Sequence, residues 1–171
     1  RRFYRLEMRM EEYVIKNQKK LRLGITTGTC SAAAAQAAAI QLLLGVESHA
    51  VTLRTPKGMT VSVPVYLLEA DADRVSYKVV KDSGDDPDVT NGCSVIARIE
   101  LQAGQSPAPA FLFRGGEGVG TVTLPGLGLE IGGPAINATP RRLICGELTA
   151  VLEENGLSGK IKEVVVTISV P

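Results

Sequence analysis

The feature that most constrains the fold of this chain is an alanine-rich run over residues 32–39, which contains a single glutamine. Alanine has the highest intrinsic helix propensity, so the run predicts a helix that continues to Leu44 and ends at Gly45. Thr29 or Ser31 can accept hydrogen bonds from the unpaired amides at the start of this helix. Because alanine side chains are small, a sheet or a second helix can pack close to the helix axis.

After this helix the apolar residues recur at every second position, as expected for half-buried strands. Turn residues at Thr55-Pro56-Lys57-Gly58 and Asp71-Ala72-Asp73 separate successive strands. The alternating positions are Val51 and Leu53; Val61, Val63 and Val65; Val75, Tyr77 and Val79; and Val95, Ala97, Ile99 and Leu101. The middle of the chain is therefore predicted to be sheet, extended by a strand at Phe111–Phe113.

A second helix is predicted from Thr139 to about Asn155, with Pro140 at its first helical position. Its apolar stripe consists of Ile144, Leu148, Val151 and Leu152. A last strand is predicted from Glu163 to Val170. The order of helix, consecutive strands, helix and strand predicts an α+β two-layer sandwich, in which a mixed or antiparallel sheet carries the helices on one face.

The length of 171 residues and the 44% of hydrophobic residues predict one domain with a sizeable core. We expect residues 23–171 to form this single α+β domain. Residues 1–22 are expected to be a charged leader, either helical or partly derived from an expression tag. No apolar run approaches the roughly 20 residues that a membrane span needs, so no membrane association is predicted.

The charge balance argues against a nucleic-acid partner. The chain carries 19 lysines and arginines against 18 acidic residues, so no strong field attracts a polyanion. Aromatic residues make up only 4% of the chain and offer few platforms for base stacking. The three cysteines show neither a disulfide framework nor a zinc pattern, which favours a reducing cytoplasm.

Hydroxyl groups crowd the segment that precedes the alanine-rich run. This segment reads Thr26-Thr27-Gly28-Thr29-Cys30-Ser31. Helix N-termini attract anions because their amides lack partners and carry the positive end of the helix dipole, so a carboxylate or phosphate can bind here. Capping alone explains one or two of these residues, and both interpretations stay open. The segment is not a P-loop, because no lysine follows Gly28.

Cys30 has two interpretations, a nucleophile and a small structural residue at a helix start. The only histidine, His49, lies beyond the helix, and no other general base is adjacent in sequence. A nucleophilic cysteine requires such a base or another means of lowering its pKa. The structural interpretation is therefore favoured.

Four carboxylates fall within seven positions directly after a predicted strand: Asp82, Asp85, Asp86 and Asp88. Their spacing does not match a calcium-binding loop, and no metal site is assigned. Magnesium binding, a general base, hydrogen bonding to a ligand and a merely solvated loop remain alternatives. Because like charges at this spacing repel, we expect some of them to be paired or buried in a site, with a raised pKa.

The segment 115–133 contains eight glycines and is predicted to be a long loop with one short strand at Thr121–Leu124. A dinucleotide-binding loop must open directly into a helix, and neither the glycine spacing nor the strand that follows fits. The glycines either let the backbone approach a large flat ligand or form a flexible connection.

Arg141 and Arg142 lie in the first turn of the second helix, where the dipole disfavours cations. They indicate an acidic ligand or an acidic loop at this place, although a solvated helix face fits about as well.

Taken together, four segments resemble the cobalt-precorrin-5B C1-methyltransferase family. They are Thr26–Cys30 with its alanine-rich helix, Val80–Thr90, Gly118–Thr123 and Pro134–Arg141. The similarity covers nearly everything from Leu21 to Pro171, and the order and spacing of the segments are specific although each alone is weak. Ser83 stands where alanine is common in the family, and Asn91 stands where histidine is expected.

The resemblance implies the N-terminal domain of a longer two-domain enzyme that methylates carbon 1 of a cobalt-precorrin in oxygen-independent cobalamin biosynthesis. The implied step leads from cobalt-precorrin-5B to cobalt-precorrin-6A, with S-adenosylmethionine as methyl donor. The substrate is a cobalt-containing tetrapyrrole with acetate and propionate arms. The donor site and the oligomeric state stay open at this point.

On this hypothesis one of the four aspartates takes a proton or polarises a ring N–H group, and other residues bind the substrate. The substrate-binding candidates are Thr26, Thr27, Gly28, Thr29, Cys30, Glu117, Gly118, Asn137, Arg141 and Arg142. A non-catalytic tetrapyrrole-binding module is the main alternative. A small-molecule kinase-like enzyme is less favoured, because it requires a phosphate loop with a lysine.

Overall fold

The structure is a computed structural model that describes residues 13–16, 18–126 and 128–171. Its elements, in chain order, are β1 (Tyr13–Lys16), β2 (Lys19–Arg22), α1 (Thr27–Leu44), β3 (Ala50–Arg54), β4 (Thr60–Pro64), β5 (Tyr66–Ala70), β6 (Arg74–Val80), β7 (Ser94–Ala103), β8 (Ala110–Gly115), α2 (Ala138–Glu154) and β9 (Ile161–Ser169).

Helix α1 lies at the centre of the domain and is buried on every side from Thr29 to Ile40. Its sequence is apolar all round, which is the pattern of a helix surrounded by other elements. The helix begins earlier than the sequence predicted, because Thr26 is the N-cap and its side chain accepts a hydrogen bond from the Thr29 amide. Gly45 ends the helix in the left-handed conformation at φ 65°, as predicted.

The main sheet has five strands in the order β5-β6-β7-β9-β8. Neighbouring strands are antiparallel except β8 and β9, which are parallel. The inward positions of β6, β7 and β9 are buried against the helices and form the core: Val75, Tyr77, Val79, Val95, Ala97, Ile99, Val164, Val166 and Ile168. The predicted α+β two-layer sandwich with a mixed sheet and helices on one face is confirmed.

Three strands of this sheet end at the same side, the edge that runs across the strand ends. Val80 at the end of β6 pairs with Ser94 at the start of β7, and Ile96 pairs with Ser169 at the end of β9. Since β8 is parallel to β9, its last residue Gly115 lies at the same edge. We call this edge, marked by Val80, Gly115 and Ser169, the carboxyl edge.

The two helices run parallel and both begin at the carboxyl edge. At their starts Gly28 lies against Pro140, so close that a β-carbon on Gly28 would stand 2.9 Å from the proline Cγ. Further along, Ala39 and Leu43 share a small void with Leu148 and Leu152. The positive ends of both helix dipoles are therefore neighbours.

Two hairpins complete the fold. The β1–β2 hairpin covers the described part of the predicted leader, so the helical alternative for this segment is wrong for Tyr13–Lys16 and Lys19–Arg22; residues 1–12 lie outside the described residues. The β3–β4 hairpin packs against α1, where Gln36 Nε2 donates to the Thr52 carbonyl over 3.4 Å. A buried amide thus joins the alanine-rich helix to the hairpin.

Other boundaries also differ from the sequence prediction. Helix α2 begins at Ala138 with Asn137 as N-cap, so Pro140 falls at the third helical position, where its missing N–H removes no helical hydrogen bond. The predicted strand at Thr121–Leu124 is reduced to a single bridge between Thr121 and Pro134. Within the described residues, no helix has the length and apolar character needed to cross a membrane.

The contact between the helix starts gives opposite predictions for two helical glycines. Gly28→Ala is expected to destabilise the domain by about 1–3 kcal/mol, because the new methyl group overlaps the rigid ring of Pro140. Gly146→Ala in α2 meets no atom within 4 Å and is expected to stabilise it by about 0.5–1 kcal/mol through helix propensity. Urea unfolding followed by circular dichroism measures both, and equal stability of the two variants would contradict the tight contact.

Candidate functional site

The start of α1 is the first part of the candidate site. Thr26 Oγ1 accepts a hydrogen bond from the Thr29 amide over 3.1 Å and donates to Thr29 Oγ1 over 3.0 Å. The helix has no acidic residue in its first turn, so no side chain there neutralises the positive end of the dipole. Thr29 is buried, whereas Thr26 is exposed and Thr27 and Gly28 are half-buried. An anion can reach this helix start only from the side of residues 26–28.

Cys30 is buried and is not available as a nucleophile. Removal of the thiol from water raises its pKa to about 12, and the nearby ammonium of Lys81 offsets this only in part. The thiolate fraction near neutral pH is therefore negligible. The structural interpretation fits Cys30, and its predicted contact with substrate has no support in its position.

The acidic segment after β6 is organised around a buried cation, Lys81, which is 4% exposed. Its ammonium donates hydrogen bonds to Asp88 Oδ2 and, over 2.6 Å, to Thr90 Oγ1. Asp88 Oδ1 in turn accepts from the amide of Thr90 over 2.8 Å and from its hydroxyl over 2.6 Å. These hydrogen bonds, first of all that from Lys81, hold the pKa of Asp88 well below its ordinary value. The expectation of a raised pKa is wrong for this carboxyl.

A second cation neutralises the other end of the acidic segment. Both terminal nitrogens of Arg22 donate to the carboxylate of Asp82, over 2.7 and 2.8 Å, in a bidentate pair. The backbone of the same region is paired as well: the Ile25 amide donates to the Asp82 carbonyl and the Arg22 amide donates to Asp85 Oδ2. The acidic segment is thus fixed to the residues that lead into α1.

This backbone pairing depends on two glycines. A β-carbon on Gly24 would stand 2.0 Å from the Ser83 carbonyl carbon, and one on Gly84 would stand 2.3 Å from the Arg22 carbonyl oxygen. Gly84 also has a φ of 63°, which disfavours other residues. Ser83 is buried between them, and its hydroxyl has no hydrogen-bond partner within the described part of the chain. An alanine at that position would remove this unpaired hydroxyl.

Of the four aspartates, Asp86 alone keeps a carboxylate without a partner among the described residues. Asp82 and Asp88 are paired with cations, and Asp85 accepts a backbone amide. Asp86 is exposed at the turn that its own amide closes by donating to the Ser83 carbonyl. The four carboxylates that the sequence grouped together are chemically distinct in the structure.

The start of α2 lies beside the start of α1. Unlike α1, it has no hydrogen bond from its backbone amides to the side chain of its N-cap residue. Asn137 occupies the N-cap position, yet its side chain makes no capping hydrogen bond. The first turn of α2 contains no acidic residue, and Arg142 is exposed there, with Nη2 donating to Thr139 Oγ1 over 3.2 Å. An exposed amide side chain, an exposed guanidinium and the helix start are therefore available to an anionic ligand.

Arg141 is engaged differently from its neighbour. Its Nε donates to the Ile136 carbonyl over 2.8 Å and its Nη2 to the Pro134 carbonyl over 3.2 Å. The guanidinium also stacks over the ring of Phe113 in β8, 5.0 Å from the ring centre. The structure accordingly assigns Arg141 to joining α2, β8 and the end of the glycine-rich segment, and Arg142 is the better placed of the two for a ligand.

The glycine-rich segment packs closely against the end of β9. A β-carbon on Gly118 would stand beside the Val170 carbonyl oxygen, and one on Gly116 would meet Ser169 Oγ. The Glu117 carbonyl accepts a hydrogen bond from the Val170 amide over 2.8 Å, while Glu117 itself is exposed. The close approach that the sequence suggested for a ligand is made at Gly118 by the backbone of Val170 and at Gly116 by the side chain of Ser169.

The carboxyl edge brings all four sequence segments together: the α1 start, the acidic segment, the glycine-rich segment and the α2 start. Sequence reasoning missed Arg22, Lys81 and Thr90, which hold the acidic segment. The sequence did contain a signal that Lys81 is buried, since Lys81 continues the alternating inward positions of β6 after Val79. Arg22 carried no sequence signal for its role, because its partner Asp82 lies 60 positions away. Among the described residues no group of three His, Cys, Asp or Glu side chains is suited to hold a metal ion.

Comparison with known proteins identifies the family. The model of the CbiD family matches residues 14–171, which is nearly the whole chain. The chain belongs to the CbiD family. The described acidic segment and both helix starts lie within the matched range.

Curated CbiD relatives include two bacterial proteins named cobalt-precorrin-5B C(1)-methyltransferase. The one from Salinispora tropica is 48% identical over 151 residues, covering 88% of this chain and 37% of the relative. The one from Alkaliphilus metalliredigens is 42% identical over 162 residues, covering 95% of this chain and 40% of the relative. The chain thus spans about two-fifths of the length of these relatives.

A solved structure supports the fold. The crystal structure of the cobalamin biosynthesis protein (cbiD) from Archaeoglobus fulgidus superposes with a TM-score of 0.59 at 31% sequence identity. The match covers 91% of this chain and 46% of the archaeal chain. The CbiD architecture of this chain is therefore shared with an experimentally determined family member.

The Asp88 carboxylate predicts how stability depends on pH. Its pKa is lower in the folded than in the unfolded state, so its stabilising contribution is complete above the ordinary aspartate pKa of about 3.9. The contribution is lost as pH falls from there through the lower folded-state value. The stability advantage of the wild type over Asp88→Asn should therefore be constant between pH 7 and 5 and shrink below about pH 4. Urea unfolding at several pH values measures it.

The double variant Lys81→Met/Asp88→Asn is the control. Asp88→Asn alone leaves a buried ammonium without its carboxylate, which destabilises more than removing both charges. The double variant should thus be more stable than Asp88→Asn near neutral pH. An advantage over Asp88→Asn that stays constant down to pH 2 would contradict the role of the Lys81–Asp88 pair.

Proposed function

We propose that this chain is the substrate-handling part of a methyltransferase that methylates carbon 1 of a cobalt-precorrin, in the step from cobalt-precorrin-5B to cobalt-precorrin-6A of anaerobic cobalamin biosynthesis. Membership of the CbiD family and the names of its relatives support this activity. The observation that carries the assignment of substrate handling to these residues is the pair of adjacent, parallel helix starts at the carboxyl edge.

A cobalt-precorrin suits this pair because its ring bears several carboxylate arms. Two neighbouring helix N-termini that lack acidic side chains attract carboxylates, and the effect of each adds to that of the other. Arg142 and the side chain of Asn137 supply charged and neutral donors beside the α2 start. The α1 start offers the amides of Thr27 and Gly28, because the Thr26 hydroxyl already donates to Thr29 Oγ1. We infer that ring carboxylates occupy these places.

The chemical demand on the protein is mainly alignment. A sulfonium methyl group is already activated, so holding the ring carbon in line with it and excluding water supplies much of the rate. A proton must also leave, or a ring N–H must be polarised, when the ring electrons rearrange. Asp86 is the aspartate with a carboxylate left for this task, and Asp85 is the second candidate, since Asp82 and Asp88 are paired with cations.

S-adenosylmethionine is the proposed methyl donor, and the glycine-rich segment offers it no open space at Gly116 and Gly118. Gly116 and Gly118 approach Ser169 and Val170 of the same chain, so the space that these glycines open is filled. We infer that the donor is bound largely by the part of the longer family members that this sequence does not cover. The proposed location is the cytoplasm, in keeping with the free thiols of Cys30, Cys93 and Cys145.

A non-catalytic tetrapyrrole-binding module is the second candidate function. Its support is that both helix starts suited to carboxylates lie in this chain, whereas Gly116 and Gly118 of the glycine-rich segment are closed off by Ser169 and Val170. A kinase-like enzyme has less support, because Lys81, the lysine of the acidic segment, is buried against Asp88 rather than free for a phosphate.

Anaerobic titration of the 171-residue protein tests the substrate assignment. Cobyrinic acid, a cobalt corrinoid with free carboxylate arms, should bind and change its absorbance, whereas cobinamide, which carries amides instead, should bind far more weakly. Arg142→Ala should lower the affinity for cobyrinic acid by up to about fivefold, the size expected for an exposed charge pair. Arg54→Ala in β3 is the matched control. Equal affinity for the two corrinoids would refute carboxylate recognition at the helix starts.

Methyl transfer by a full-length enzyme that contains this segment tests the role of Asp86. Asp86→Asn keeps the shape of the side chain and removes its basicity, so we expect kcat to fall by about 100-fold or more. Asp73→Asn, in the exposed turn between β5 and β6, is the control and should be neutral. An unchanged kcat for Asp86→Asn would remove the acid–base role of this residue while leaving substrate binding intact.

A further inference from the structure

The most exposed large apolar side chain in the described part of the domain lies inside the candidate site. Val89, in the acidic segment, is 98% exposed. A single exposed valine is ordinary on a protein surface and by itself indicates nothing. What distinguishes Val89 is that both of its neighbours are fixed, whereas residues at the tip of an exposed loop are usually mobile.

The fixation comes from the buried ammonium of Lys81. It binds Asp88 on one side of Val89 and Thr90 on the other, and Asp88 and Thr90 are also bonded to each other. We call Lys81, Asp88 and Thr90 the lysine clamp. Below the clamp the loop is closed by two backbone hydrogen bonds between Lys81 and residues 92 and 93, of 2.8 and 2.9 Å. The clamp therefore holds the backbone of Val89 in one position with its side chain in solvent.

A preorganised apolar side chain binds without the entropy cost of ordering a loop, which is the advantage of rigid contact residues. The proposed ligand has the matching chemistry. A tetrapyrrole presents an apolar ring face bordered by carboxylates, and the carboxyl edge presents an exposed valine on a loop beside the helix start that suits a carboxylate. The contact of the Ile25 amide with the Asp82 carbonyl keeps the valine-bearing loop and the α1 start together.

We propose that Val89, held outward by the lysine clamp, is a contact residue for the apolar ring face of the tetrapyrrole, and that Lys81 is the positioning residue that aims it. This inference rests on the proposed function and deepens it. It assigns the carboxylate arms to the helix starts and the ring itself to the acidic loop. Val89 thus contributes to selection of a macrocycle over other compounds with several carboxylates.

Titration of the 171-residue protein with cobyrinic acid, followed by absorbance, tests this contact. Val89→Thr keeps the side-chain shape and replaces a methyl group with a hydroxyl, and we expect it to weaken binding by about fivefold to tenfold. Because Val89 is almost fully exposed, the thermal midpoint should not change, so weaker binding cannot come from unfolding. Val46→Thr is the matched control, since Val46 is 54% exposed and follows the opposite end of α1.

Lys81→Met tests the clamp itself. Amide hydrogen exchange at Thr90 and Asn91 should become faster, and the affinity for cobyrinic acid should fall to that of Val89→Thr. Unchanged affinity for cobyrinic acid in Lys81→Met would overturn the positioning role. If amides of the core also exchange faster in Lys81→Met, the substitution has loosened the whole domain. Thr90→Val then replaces it, and the same loss of affinity is expected.

The outcomes separate this inference from the proposed function. Absence of cobyrinic acid binding by the wild type would overturn both. Wild-type binding that Val89→Thr leaves unchanged, or that Val46→Thr weakens equally, would overturn the contact at Val89 and leave the helix-start assignment standing. Weaker binding in Val89→Thr alone supports the inference.

Discussion

Burial of α1 on every side is the constraint on which the rest of the structure depends. The sheet, α2 and the β3–β4 hairpin all pack against a helix whose middle turns carry mainly methyl groups. Close approach is possible only because those side chains are alanine, and the same close approach brings Gly28 against Pro140. The relative position of the two helix starts is therefore a result of core packing. The chemistry available at the carboxyl edge follows from the composition of the core.

Much of the fold could be predicted from periodicity. Alternation of Val75, Tyr77 and Val79 gave a strand, and the alanine-rich run gave a helix that ends at Gly45. The starts of the helices were less predictable, because several neighbouring hydroxyl or amide residues can act as caps and tertiary contacts decide among them. The helical alternative for the leader was wrong at Tyr13–Lys16 and Lys19–Arg22 for a related reason: the charged residues there show no strong strand pattern, and pairing within the hairpin determines their structure.

The candidate site was predicted in part. Segments 26–30, 80–90, 118–123 and 134–141 do meet at one edge, but the roles of individual residues depend on partners far away in sequence. Asp82 is paired with Arg22, and Arg141 stacks on Phe113, contacts that no local pattern indicates. The acidic segment is also less repulsive than its sequence suggests, because Arg22 and Lys81 neutralise two of its four carboxylates. Two carboxylates remain without a cation: Asp85, which accepts the Arg22 amide, and Asp86, which has no side-chain partner among the described residues.

The position of β9 in the sheet has a consequence for how the domain is made. β9 is the last strand, yet it lies between β7 and β8, so β8 has no strand neighbour until β9 has inserted. During synthesis α1, the hairpins and the β5-β6-β7 meander can form from local contacts, whereas the βαβ unit of β8, α2 and β9 must wait for residues 161–169 to leave the ribosome. The hydrogen-bonding edges of β7 and β8 that face each other stay unpaired until that moment. Completion of the sheet then closes the core and assembles the carboxyl edge in one event.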